Sequence, residues 1–449
     1  MSFSRKALVV ALGMVLSHGI VHAAGPVTFP PPGEGPAMPD NLIEQSDIES
    51  GALSLDEIRK AGGIVFTTPF NRFDGMGDGP VSGSAPPSSG VGFPFLGNRP
   101  TLQTENTTML RISGLDAQTC LECHTTISRA TVPFTLGIGG HGGINNSPMP
   151  GNALFDATDA IDAADNINNN VTGDGITNTS GRVINPPFNF GGGGVELLGK
   201  EMTRDLQAIK ALAVAASAGT EFDLITKGVN FGTITSNGTS EPDIDIENDE
   251  GIDHDLVVRP FGRKGENFTI RDFDRGAMAF HMGIQANELF VDTGFDPFDG
   301  DGDGDGNGVV EELSIGEMSA LGVFLATMPR PVAEKPQGRA KRGEAIFNSI
   351  GCSTCHIPEM TTESKFLTQS FPDIADDPDA NVFMSINISK KDTGDFEKVP
   401  GGGVIVPLFA GLKRHNMGSE LAETYWWRNG SILYHGKALG YCRFSTVFT

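Results

Sequence analysis

Most of this chain has no apolar period, and its regular elements stand out as islands in polar, glycine-rich sequence. Ser54-Leu55-Asp56-Glu57 is a capping box, in which hydroxyl and carboxylate each satisfy one of the helix's first amides. It opens a short helix that Gly62 and Gly63 are expected to end. Apolar residues at helical spacing predict a second helix over 195–216. Ser314-Ile315-Gly316-Glu317 is another capping box, and its helix should stop near Pro329 and Pro331. Between these islands, 25–39, 74–100, 137–143 and 156–180 read as loop.

One apolar run differs in kind. Arg5 and Lys6 precede residues 7–16, and Val21-His22-Ala23 supplies a small-residue cleavage context, so 1–23 reads as a secretory signal peptide. The run is well short of the ~20 residues that a spanning helix needs, and no later stretch is long enough, so no membrane span is expected. Export places the expected compartment in a bacterial periplasm.

Composition narrows the partners. With 59 glycines and 28 prolines in 449 residues, much of the chain must be loop around modest cores. The formal charge of -24 argues against nucleic acid, which needs a basic face. A small basic protein that donates or accepts electrons would be steered inward, although acidity serving only solubility is the plain alternative.

Chemistry concentrates in two strings, Cys120-Leu121-Glu122-Cys123-His124 and Cys352-Ser353-Thr354-Cys355-His356. In C-x-x-C-H, Cys120, Cys123, Cys352 and Cys355 would form thioethers to haem vinyls, while His124 and His356 ligate iron on the proximal side. One copy could be half a zinc site or a thiol pair. Two copies using four of five cysteines point to two covalently bound c-type haems. The fold expected on this basis is mainly α with extensive loops: two cytochrome c-like haem domains, 25–330 and 331–449, the first with long insertions.

The second motif has a helical frame, since Arg342-Gly343-Glu344-Ala345-Ile346-Phe347 before Gly351 resembles the first helix of a cytochrome c fold. Gly63-Ile64-Val65-Phe66 is a looser version for the first motif. Together with these, Phe70-Asn71-Arg72-Phe73-Asp74-Gly75, Arg259-Pro260-Phe261-Gly262-Arg263-Lys264-Gly265, His281-Met282-Gly283 and Leu412-Lys413-Arg414-His415-Asn416-Met417-Gly418 resemble segments of the bacterial dihaem oxidoreductases described as thiol-oxidoreductase-like or peroxidase-like. The resemblance runs to about Glu423 and implies kinship with dihaem cytochrome c peroxidases.

What each iron does depends on its sixth ligand, because a saturated iron transfers electrons whereas an open one binds small oxidants. Met417 follows His356 at an interval resembling that of single-domain cytochromes c, with His415 as second candidate and core packing as the plain role of such a Met. For the first haem, His141 within Gly139-Gly140-His141-Gly142-Gly143 resembles the displaceable distal His of dihaem peroxidases. The resemblance makes it an acid/base candidate for O–O cleavage. His281 and Met282 compete for that role, and a surface loop His is the plain alternative.

A calcium site is expected independently. Asp301, Asp303, Asp305 and Glu312 occupy positions 1, 3, 5 and 12 of an EF-hand-like loop, with Gly306 at the sharp turn and Asn307 offering its carbonyl. Calcium there would staple a junction; a solvated Asp/Gly linker is the alternative. Residues 425–449 differ in composition, since both tryptophans, all three tyrosines and Cys442 fall there. They read as a shifted frame: one permitted back-translation, read one base later, gives Leu-Trp-Gly and Pro-Tyr-Leu-His elements that resemble the family's next segment. Such a shift would remove the native end of the second haem domain, and the coding DNA through Thr449 checks it.

Three functional classes follow. The leading one is a peroxidase-like dihaem oxidoreductase, in which electrons enter at the second haem and peroxide or another small oxidant reacts at the first. The others are a non-catalytic dihaem electron carrier and a calcium-stapled redox binding or sensor protein.

Overall fold

A computed structural model describes residues 35–40, 42–76, 117–124, 145–150, 181–184, 189–239, 251–262, 265–288, 308–330 and 335–415. Both capping boxes form. Ser54 N donates to Glu57 Oε2 at 2.8 Å, and Ser314 N donates to Glu317 Oε2 at 2.9 Å. They open helices α2 (Leu55–Thr67) and α6 (Ile315–Ala326), and a short α1 (Gln45–Glu49) precedes them. α2 does not end at its glycines. A Cβ on Gly62 would lie 2.0 Å from Ala320 O, so the glycine lets α2 lie directly on the α6 backbone instead of stopping the helix.

α6 is the hub of the fold, buried on almost every side, with Met318, Ala320 and Val323 fully enclosed. Its apolar sequence shows no single face because neighbours cover it all round. The predicted helix over 195–216 is α4 (Gly192–Ala215). Its first half is buried, and a Cβ on Gly193 would lie 2.1 Å from Ala326 O. α3 (Cys120–Cys123) and α5 (Ile270–Ala277) complete the helices on this side of the core.

The expectation of a mainly α pair of cytochrome c-like domains is corrected: helix makes up 37% and strand 16% of the interpretable region, a mixed α and β architecture. All the strands described pair antiparallel in small sheets. β1 (Asn145–Pro150) pairs with β2 (Gly181–Ile184), and β3 (Glu221–Thr226) with β4 (Val229–Thr235). Beyond the second C-x-x-C-H motif come β5 (Glu359–Thr361), β6 (Phe366–Ser370), β7 (Val382–Asn387), β8 (Glu397–Lys398) and β9 (Val404–Pro407). They form a sheet of order β5-β9-β8 and a β6-β7 hairpin.

The physical reason is a period of two that helical reading overlooks. In β3 the buried Leu224 and Thr226 alternate with exposed residues, and β4 buries Val229 and Phe231. The turn between them is two residues, Lys227 and Gly228, both at positive φ (50° and 79°), the geometry of a tight hairpin.

Polar bonds tie these sheets to α4. Glu201 accepts from Glu363 N at 2.8 Å and Ser364 N at 2.9 Å, and Lys200 Nζ donates to Thr368 O at 2.7 Å. Buried apolar residues from Met38 to Leu412 form one continuous cluster. α7 (Gly338–Ser349) is the exception: it has no buried residue, and Ile346 and Ile350 are 58% and 69% exposed.

Candidate haem-attachment sites

Each C-x-x-C-H motif is a single tight turn whose His is set against a phenylalanine. In the first, Thr119 caps α3 by accepting from Leu121 N at 3.3 Å, and its own hydroxyl donates to Phe66 O at 3.1 Å. Phe70 N donates to Gln118 O at 2.9 Å, which fixes the motif beside the end of α2. The ring of Phe66 lies 6.5 Å from that of His124 and 5.5 Å from Phe324 of α6. Gly63-Ile64-Val65-Phe66 therefore does frame the first motif, from the last turns of α2. Cys120 is half-buried against the core.

In the second, Gly351 takes the left-handed conformation (φ 86°) that ends α7 and turns the chain into Cys352–Thr354. His356 N donates to Cys352 O at 2.9 Å. His356 Nδ1 lies 3.2 Å from Phe409 O, and because a carbonyl only accepts, this bond puts the ring proton on Nδ1. Nε2 is then the nitrogen with a lone pair for a metal, the arrangement by which an outer partner orients a ligating imidazole. Phe347 stands 6.2 Å from His356 and 6.1 Å from Phe409, ring to ring. A Cβ on Gly343 would meet nothing within 4 Å, so this glycine serves no close helix packing here.

The second motif leaves one thiol and two apolar side chains exposed. Cys355 is exposed, Cys352 half-buried, and the apolar side chains of Ile346 on the preceding helix and Ile350 at its C-cap are more than half exposed. So much uncovered apolar surface beside two thiols and an oriented imidazole is what a covalently held porphyrin would bury.

The other predicted ligands are spread. His281 and Met282 lie in a five-residue π-helical turn, Met278–Met282, closed by Gly283 at φ 70°. Met282 is 3% exposed within the hydrophobic core, whereas His281 is half-buried. His415 is half-buried at the end of the segment that follows β9. His141, Met417, Asp301, Asp303, Asp305 and Asn307 lie outside the described residues. Glu312, the last position of the candidate calcium motif, is 8% exposed, and its Oε2 accepts from Gln285 N at 2.5 Å. A Cβ on Gly75 would overlap its carboxylate, so the Phe70–Gly75 string ends against Glu312. Among the described residues alone, no group of His, Cys, Asp or Glu is complete enough to hold a metal ion.

Sequence reading overlooked a buried charged layer between α4, α5 and α6. Arg271 reaches Glu288 from Nε at 2.9 Å and Ser319 Oγ from Nη1 at 2.6 Å. Lys200 pairs with Glu196 at 3.1 Å, both nearly enclosed. Asp274 Oδ2 is buried without a hydrogen-bond partner. Burial, reinforced by the charges of Glu196 and Glu288, holds the Asp274 carboxyl well above the usual carboxylate range. Burial likewise pushes Glu196 up, against the pull of Lys200. The available signal was charge at helix positions that should face the core, such as Glu196 and Lys200 among Leu197, Leu198 and Met202.

Comparisons with protein-family models, curated proteins and solved structures found no match. Among the described residues, no helix is long and apolar enough to cross a membrane.

Proposed function

We propose that the chain is a periplasmic dihaem c-type oxidoreductase of the peroxidase-like kind, with electrons entering at Cys352–His356 and substrate reacting at Cys120–His124. The observation that carries the reading is the second motif: one exposed and one half-buried thiol, an imidazole whose Nδ1 is engaged by Phe409 O, and largely exposed apolar side chains beside them. The two motifs share the His and Phe pairing, which supports the same chemistry at both.

Haem, when bound, supplies one-electron exchange and, at an open iron, reduction of a small oxidant such as peroxide. The chain's own residues do the rest. Cys120, Cys123, Cys352 and Cys355 would hold the group covalently, and His124 and His356 would each offer a ring nitrogen to its iron. Phe66 and Phe347 flank those rings. In this reading His141 moves the proton needed at the leaving oxygen, and calcium on Asp301, Asp303, Asp305, Asn307 and Glu312 staples the turn that Glu312 anchors.

The test uses full-length protein exported from a host that attaches c-type haem. Its intact mass should include two haems, lost one at a time in Cys120→Ala/Cys123→Ala and Cys352→Ala/Cys355→Ala. A high-spin or peroxide-reactive ferric haem supports the enzyme. Two inert low-spin haems would establish a simple electron carrier, and absence of haem would remove the reading altogether.

A further inference from the structure

α7 departs from the rest of the chain in charge as well as in burial. Where the whole sequence has 56 Asp and Glu against 32 Lys and Arg, residues 335–356 carry Lys335, Arg339, Lys341 and Arg342 against Glu344 alone. Elsewhere the acids take up the guanidinium groups: Arg59, Arg204, Arg259, Arg271, Arg275 and Arg414 each reach an Asp or Glu carboxylate. Among the described residues no carboxylate pairs with Arg339 or Arg342, and both are exposed.

Spacing gives this pair a direction. At 3.6 residues per turn, Arg339, Arg342, Ile346 and Ile350 fall on one face of α7. Gly343 lies between them and leaves that face open. Lys341 and Glu344 stand three apart on another side, where their charges offset each other. Phe347 turns off the face to meet His356 and Phe409. The face is therefore graded, with guanidinium groups at its N-terminal end and apolar side chains next to Gly351 and the thiols. Cys352 is ten positions beyond Arg342 (352 minus 342), about 15 Å at helical rise. Charge acts over that distance at low ionic strength, where the screening length is ~30 Å at 0.01 M.

We propose that this face docks the acidic surface of a small electron-transfer protein that supplies the second haem, a proposal that rests on the haem reading of Cys352–His356. Haem attached at Cys352 and Cys355 would cover the apolar end and leave Arg339 and Arg342 as a basic rim beside it. Guanidinium groups without an internal partner suit that role, because each presents a rigid fork of donors to a carboxylate. The step moves one electron, oxidising the partner's centre and reducing ferric to ferrous iron. The formal charge of -24 draws basic partners to the molecule as a whole. Salt screens that field beyond about 8 Å at physiological ionic strength, so contact at the second motif follows the local sign.

The experiment uses full-length, haem-loaded protein, its haems counted by intact mass, and plant-type ferredoxin as an acidic one-electron donor. Calorimetric titration with oxidised ferredoxin gives affinity, and stopped flow with reduced ferredoxin gives the rate of reduction of the second haem. In wild type both should fall as salt rises from about 0.01 to about 0.1 M, although the two proteins are acidic overall. Arg339→Glu/Arg342→Glu should lower both by about tenfold at the lower salt, with haem count and ferric spectrum unchanged. Lys390→Glu/Lys391→Glu makes the same change of net charge at another exposed place, and should leave both within about twofold of wild type. Equal losses in the two double variants would show that net charge alone acts, and wild-type binding that strengthens with salt would show that the face does not take an acidic partner; either overturns the proposal while leaving the haem reading intact. So does a wild-type dimer that Arg339→Glu/Arg342→Glu dissociates, since the occupant is then a second copy of this chain. A wild-type mass without haem removes the haem reading and the proposal together.

Discussion

Asp274 lies within the fold among Glu196, Glu288 and Arg271, and its carboxyl holds a proton to higher pH than an ordinary carboxylate, chiefly because of burial. The unfolded chain releases that proton in the usual range. Between the two values the folded state binds more protons than the unfolded one, so stability falls as pH rises through that window. Glu196, also pushed up by burial, adds to the same slope. In Asp274→Asn the melting temperature should gain steadily on wild type as pH rises from the ordinary carboxylate range. A constant difference between the two proteins would show that Asp274 does not titrate in this way.

At the scale of elements, identical substitutions should have opposite signs. A methyl at Gly62 would collide with the carbonyl of Ala320, so Gly62→Ala should destabilise by about 1–3 kcal/mol as overpacking. Gly276, within α5, has nothing in the way, and Gly276→Ala should stabilise by roughly 0.5–1 kcal/mol through helix propensity. Thermal melts of the two variants check the pair. These glycines also mark how far the elements were legible. Ser54 with Glu57 and Ser314 with Glu317 are local signals, complete within four residues, and both helices begin where those signals place them. Where α2 ends depends on a partner more than two hundred positions away, which no local reading of Gly62 contains. The hairpins were overlooked for a different reason: β3 and β6 are five or six residues long and half polar, and their alternation competes with surrounding loop composition. At the candidate site, the C-x-x-C-H strings and the segments carrying Phe66 and Phe347 were legible because each is a short local string. The carbonyl of Phe409 was not, since chain folding alone brings it to His356.

For the whole molecule, the acidic loop from Asp301 to Glu312 meets the rest of the chain where Glu312 touches Gln285 and Gly75. Calcium bound there and not to the unfolded chain should raise stability by about 2.7 kcal/mol at a hundredfold excess over its dissociation constant. Melting with and without calcium measures the increment, and Asp303→Asn should abolish it while leaving the calcium-free melt unchanged. The two motifs also differ in exposure, with Cys355 open to solvent while Cys120 is packed half under α2 and the core. On the haem reading, that contrast dictates a sequence of maturation. Among the described thiols Cys355 alone is exposed, whereas Cys120 and Cys352 are each half-buried, so attachment to a chain already folded should begin at Cys355. Protein folded without haem, then supplied with haem under reducing conditions and digested at intervals, should carry it first on the peptide containing Cys355, so that the proposed electron supply can be completed on a chain already folded.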